Sequence, residues 1–183
     1  MSPPRPWTVV ETVDVQDCRV FRVQRTLARS PADGAAHPFW RIQADAWVNV
    51  VPLTAAGEIV MVRQWRHGSG DVTLEIPGGI VDPGESPVIA GARELREETG
   101  YGGGEWVEVG WANPNPALFA NRVHTFAARG VERLGEVENH GLEETAVELV
   151  PVADLDRRLR AGEIRHALVV AGLLWWRLAE AAP

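Results

Sequence analysis

The stretch from Gly79 to Tyr101, GIVDPGESPVIAGARELREETGY, constrains this chain more than any other. It sets acids and an arginine at fixed offsets behind a glycine-rich turn. Ser86 suits a helix cap, Pro87 the first helical position and Gly100 a helix stop, so the spacing predicts a helix from about Ser86 to Thr99. Val88, Ala92 and Leu95 would give it a buried stripe. Glu94, Glu97 and Glu98 stand at i, i+3 and i+4 and share one face. Like charges so placed repel, and stability alone would not choose them. A hard divalent cation reverses that cost, because it takes oxygen ligands.

A chain of 183 residues favours one domain over two very small cores. The formal charge of −7 argues against non-specific nucleic-acid binding. An anionic substrate would then need a metal or local cations, and all 18 basic residues are arginine, whose planar fork suits phosphate. Cys18 is the sole cysteine, which excludes an internal disulfide and a cysteine-built metal site and fits a reducing cytosol. The opening Met1-Ser2-Pro3-Pro4-Arg5-Pro6 leads into no apolar core and is not expected to be a secretory signal. The apolar run from Ala167 to Trp176 is too short to span a bilayer. These readings imply a soluble, cytoplasmic protein with no membrane or nucleic-acid partner.

Before the helix, strands are expected at Trp7 to Val13, Cys18 to Leu27, Phe39 to Leu53 (long or bent), Glu58 to Trp65 and Val72 to Ile76. Thr54-Ala55-Ala56-Gly57 makes a hairpin turn. After the helix come strands at Trp106 to Gly110, Val123 to Arg129 and Thr145 to Val150, then helices at Val152 to Arg160 and Ile164 to Ala181. Strands early and helices interleaved later imply an α+β fold with a mixed sheet between helices.

The spacing Gly-x5-Glu-x7-Arg-Glu-Leu-x-Glu-Glu-x-Gly-Tyr resembles the Nudix box, with Tyr101 where an aliphatic residue is usual. The likeness extends from about Trp47 to Ala179; the amino-terminal part is matched only by position. It implies an α/β/α sandwich in which residues 46–181 form the Nudix core and residues 1–45 are amino-terminal antiparallel strands that contribute to a homodimer. It makes the Gly78 carbonyl, Glu94, Glu97 and Glu98 metal ligands for Mg²⁺, with Mn²⁺ equally acceptable as a hard cation. Gly79, Glu85 and Arg93 become the structural part of the box, the arginine orienting the glutamates. The alternative for the three glutamates is a solvated acidic face.

Glu75-Ile76-Pro77-Gly78-Gly79 and Arg63-Gln64-Trp65-Arg66 resemble segments of the Nudix group that cuts ADP-ribose and nucleoside diphosphate sugars. The resemblance implies substrate contacts for Arg66 and Glu75; a cross-strand ion pair between them is the alternative. Asn115 and Arg122, in Asn113-Pro114-Asn115-Pro116-Ala117 and Asn121-Arg122-Val123-His124, become candidates for a sugar or phosphate, unless the loop is simply a stiff, asparagine-capped turn. The loop Glu138 to Glu144 is similar in place to one that supplies a general base, which nominates Glu144 first and Glu143 second; Glu94 is the candidate if the base lies within the box. Trp40 is the candidate for stacking on a nucleobase, against ordinary burial. The implied activity is metal-dependent cleavage of the pyrophosphate of ADP-ribose or a nucleoside diphosphate sugar, giving a nucleoside monophosphate and a sugar phosphate. The alternatives are a nucleoside triphosphate housecleaning pyrophosphatase and a non-catalytic ADP-ribose sensor.

Overall fold

The computed structural model describes residues 3–181, so Met1 and Ser2 of the amino-terminal reading lie outside it. Contacts divide the chain into two compact units, residues 1–45 with 113–121, and residues 46–112 with 122–183. No helix among the described residues is long and apolar enough to cross a membrane.

The first unit is a three-stranded antiparallel sheet in the order β1 (Thr8–Asp17), β2 (Arg22–Arg29), β3 (Ala36–Gln43). Its middle strand alternates, turning Gln24, Thr26 and Ala28 inward. The strand expected from Phe39 to Leu53 is two strands, β3 and β4 (Trp47–Leu53), because residues 44–46 leave the extended ladder. The amide of Asn121 donates to Asp45 O there, at 2.9 Å.

The second unit is a seven-stranded mixed sheet. Its main path runs β12 (Thr145–Pro151), β5 (Glu58–Arg66), β4, β10 (Val123–Arg129), β9 (Glu105–Ala112). β4 and β5 meet at their hairpin, Leu53 opposite Ile59, and then take different partners. β6 (Asp71–Glu75) lies along β5, and β7 (Gly78–Ile80) along β4. The chain crosses between them at Pro77, whose carbonyl accepts from Val50 N. That crossing carries the Gly78-Gly79 turn to the start of the helix.

Helix α1 (Pro87–Thr99) covers one face of the sheet. On it Val48, Val50 and Leu95 are closed from solvent, and Gly91 lets the helix approach, since a Cβ there would press on Val50, Val48 and Trp106. The opposite face carries α2 (Leu155–Arg160) and α3 (Ala167–Glu180), whose Leu155 and Leu173 join Val51, Ile59, Met61 and Leu74 in one cluster. This is the expected α/β/α sandwich.

Some local expectations are corrected. Ser86 holds the cap position of α1, but its hydroxyl makes no capping bond. Gly100 does end the helix, at φ 74° in the left-handed region where glycine pays no Cβ penalty. Val88 and Ala92 are exposed, and the buried line is Ala90, Gly91, Leu95, Glu98, Thr99. The helix is rotated so that one of its acids goes inward. A single 3₁₀ turn, Val152–Asp154, precedes α2, and α3 begins three residues after Ile164, beyond a turn at Gly162.

Candidate active site

Glu98 is the most deeply placed acid of α1, 3% exposed, and its Oε2 accepts from the Gly78 amide at 3.0 Å. Burial pushes its carboxyl up to about 8, against the pull of that amide and with further help from Glu94 and Glu143. Burial is also the largest influence on Glu94, and the net effect is upward despite the Arg93 guanidinium beside it.

Arg93 is the hub of the cluster. Its Nη1 donates to Glu94 Oε1 at 2.9 Å and to Glu97 Oε2 at 3.3 Å. Its Nε and Nη2 donate to Glu85, and Nη2 also reaches Ile80 O. The Glu85 bond raises the arginine above its ordinary value and holds the Glu85 carboxyl below its own. One planar cation thus ties the turn after β7 to two acids of the helix. Gly79 makes room for this: a Cβ there would strike the Glu94 carboxylate.

Among the described residues no three acidic, histidine or cysteine side chains have their donor atoms gathered for a cation. Each box carboxylate is engaged by a protein donor, and Glu97 additionally lies 3.3 Å from His140 Nε2. The donor set nevertheless fits a hard divalent cation. It is all oxygen, it is concentrated beside a backbone turn, and two of its members are raised by burial and mutual repulsion, which a cation would relieve.

Arg66 and Glu75 form the cross-strand pair. Nε donates to Oε1 at 2.9 Å and Nη2 to Oε2 at 2.7 Å, a two-pronged fork. Burial pulls the Glu75 carboxyl up, but Arg66 and the Thr73 hydroxyl outweigh it and hold it below its ordinary value. The pairing does not retire Arg66 from the site. Its side chain remains 40% exposed, and it feels the charges of Glu98 and Glu143.

Glu143 and Glu144 separate on the same electrostatic ground. Glu143 raises both Glu94 and Glu98 and acts on Arg66, whereas Glu144 figures in none of these interactions. The loop that carries them is tied to the last turn of α1. Glu138 N donates to Glu97 O, and the Thr145 hydroxyl donates to Glu98 O at 2.8 Å while meeting Asn139 Oδ1 at 3.0 Å. Thr145 and Asn139 are positioning residues that sequence reasoning missed, since a threonine opening a strand carries no distinguishing pattern.

Three further candidates have partners or surroundings of their own. The Arg122 guanidinium lies over the Trp111 ring, 4.4 Å from its centroid. Asn115 belongs to the first unit, where its Oδ1 accepts from Ala117 N at 3.2 Å and its carbonyl from Leu118 and Phe119, the capped turn given as the alternative. Trp40 also belongs to the first unit and is 55% exposed.

The NUDIX domain family profile matches residues 45–171, and the chain belongs to that family. Among its relatives is an ADP-ribose pyrophosphatase of Mycobacterium tuberculosis, 31% identical over 157 residues that cover 85% of this chain and 75% of the relative. Another is an ADP-ribose pyrophosphatase of Bacillus subtilis, 30% identical over 136 residues, 73% of each chain. The crystal structure of an ADP compounds hydrolase superimposes with a TM-score of 0.82 over 97% of this chain and 95% of its own. At 21% identity that likeness bears on the fold, and it agrees with the sandwich described above.

Proposed function

We propose that this Nudix hydrolase cleaves the pyrophosphate of ADP-ribose or a related nucleoside diphosphate sugar. The observation that carries the reading is the buried Glu98 beside Glu94, with Glu143 in the field of both and Arg66 in the field of Glu98 and Glu143. That the two bacterial relatives are ADP-ribose pyrophosphatases supports the choice of ADP-ribose. Glu94, Glu97 and Glu98, with the Gly78 carbonyl, would hold a divalent cation. We take it to be Mg²⁺, with Mn²⁺ the other hard cation that such oxygens accept. A bound cation would neutralise charge on the phosphoryl oxygens.

The chain's own residues do the rest. Arg93 aims Glu94 and Glu97 and is itself held by Glu85. Arg66, oriented by Glu75, offers its free Nη1 to a phosphate oxygen. Glu143 takes a proton from water at its carboxylate as the oxygen bonds to one phosphorus. The bond from that phosphorus to the bridging oxygen breaks, leaving a nucleoside monophosphate and a sugar phosphate. Burial of Glu98 keeps water from competing for its oxygens.

In the first unit Trp7, Phe39 and His37 form an edge-to-face cluster, and Val9, Val10 and Trp40 are exposed nearby in the sequence of the same sheet. This supports a homodimer formed through the amino-terminal sheet, with Trp40 available to a base. The single cysteine, Cys18, agrees with a cytoplasmic setting.

The test is turnover with Mg²⁺ on ADP-ribose, ADP-glucose, GDP-mannose and nucleoside triphosphates. Preference for the first three is expected. Turnover of triphosphates alone would overturn the substrate class, and binding of ADP-ribose without turnover under any divalent metal would point to a sensor. Sedimentation at several concentrations checks the dimer.

A further inference from the structure

The hairpin between β5 and β6 and the turn before α3 line a cavity of about 520 Å³, of which only Arg66 has a part in the pyrophosphate chemistry proposed above. That volume lies in the range of small-ligand sites, about 300–1,000 Å³. Arg66, His67, Ser69, Asp71, Thr73 and His166 are among its lining residues, and Arg165 completes the wall. Arg66 spends Nε and Nη2 on Glu75, so Nη1 has no hydrogen-bond partner among the described residues. Arg165 is paired with Asp71, and both line the cavity. His166 Nδ1 is buried without a partner, which favours the tautomer with its proton on Nε2, because an orphaned N–H costs more than an orphaned lone pair.

The lining decides among ligand classes. A free anion wants donors only, and here the Asp71 and Glu75 carboxylates stand in or behind the wall. A nucleobase wants flat apolar walls for stacking, and the only rings in the lining are imidazoles. A sugar wants donors and acceptors interleaved, because every hydroxyl is both. Guanidinium, carboxylate, hydroxyl and imidazole groups alternate here in that manner, with their charges paired off.

We infer that this cavity, walled by Arg66, His67, Ser69, Asp71, Arg165 and His166, receives the sugar of the sugar-phosphate half of the substrate, and so sets specificity for that sugar. The inference rests on the function proposed above. Arg66 links the two regions, since it lines the cavity and also lies in the field of Glu98 and Glu143.

The experiment separates the two claims. Ser69 is an exposed residue of the hairpin turn, so Ser69→Trp fills the cavity from its rim. The ratio of KM for ADP-ribose to KM for P2-methyl-ADP, which has the pyrophosphate but no second sugar, is expected to rise about tenfold. In parallel, ribose 5-phosphate titrated into the wild-type protein shifts the His166 imidazole ¹⁵N resonances, and Ser69→Trp needs about tenfold more of it. His67→Ala, which opens the wall rather than filling it, weakens the same titration about threefold. An unchanged KM ratio overturns the inference, and so do His166 shifts produced equally by inorganic phosphate. Absence of turnover on every nucleoside diphosphate sugar, with the ribose 5-phosphate shifts intact, overturns the proposed function while supporting the cavity's role.

Discussion

In the second unit β5 closes Ile59, Val60, Met61 and Val62 from solvent, whereas in the first unit every residue of β1 except Val13 is exposed. The two strands differ little in length and both pair antiparallel, β1 with β2 alone and with two register shifts, β5 with β12 and β6. What differs is the material around them. β5 sits in a core of aliphatic side chains. The sheet of β1 to β3 is joined by a polar ladder, in which Gln24 Nε2 donates to Asp14 at 2.6 Å and Arg41 Nε donates to Gln24 at 2.8 Å. Hydrogen bonds fix register well but add only about 1 kcal/mol each in net stability, while burying a large aliphatic side chain is worth about 1.5–3 kcal/mol. A three-stranded sheet needs a hydrophobic face to be stable by itself, and the thin burial of this one is the physical ground for the homodimer proposed above.

The acids proposed to act belong to the apolar unit, and there the largest effects are expected. Glu98→Gln should lower kcat about a hundredfold or more, since a metal's charge stabilisation is worth several kcal/mol. The metal-free variant should melt no lower than wild type at pH 8, because it no longer buries a carboxylate; calorimetry and turnover assays together check both. A fall in melting temperature would show that Glu98 supports the fold rather than strains it.

Glu143→Gln comes next, with a loss of about 10²–10⁴-fold in kcat expected for a general base. Glu144→Gln should stay within about threefold, because it is not among the main charges acting on Arg66, Glu94 or Glu98. The reverse order would move the base by one residue.

The contrast in stability is tested by Leu74→Ala and Gln24→Ala. The first should cost about 2–5 kcal/mol in denaturant unfolding. The second should cost about 1–3 kcal/mol, from partners left unpaired, and should leave the unfolding of the second unit unchanged. Equal losses would mean that the units do not differ as described.

The smallest effect concerns pH. Glu75 is depressed in the folded state, so the fold binds fewer protons than the unfolded chain near and below the ordinary carboxylate value. Its contribution is therefore present above about pH 4.5 and is lost as pH falls from there towards the depressed folded value. Melting temperature measured downward from pH 6 should drop less steeply for Glu75→Gln than for wild type.

Much of the site was legible because the box is local. Glu94, Glu97, Glu98, Arg93, Glu85 and Gly79 lie within one turn and one helix, where spacing dictates who meets whom. Gly100 was legible as a stop because a left-handed residue has a chemical preference. The break at residues 44–46 carries no glycine or proline and was not legible. The outward turn of Val88 and Ala92 was hidden too, because burying Glu98 rotates the helix against its own hydrophobicity. The order of Glu143 and Glu144 depends on a loop pinned by Thr145, a contact 47 residues from its partner in sequence. Whether Arg66 is a structural pair or a substrate contact is not a choice of residue at all; the fork with Glu75 leaves one nitrogen free for either.

The bonds from the base loop to α1 have a mechanical consequence. Glu138 N holds the Glu97 carbonyl, Thr145 holds that of Glu98, and Leu134 and Gly135 both hold that of Gly100. The end of the helix cannot fray without releasing the loop, and the loop cannot lift without exposing the helix end. Their amides should therefore exchange with deuterium in one shared opening. The site comes apart as a whole, so a partly assembled centre with acids in place and no base is seldom populated.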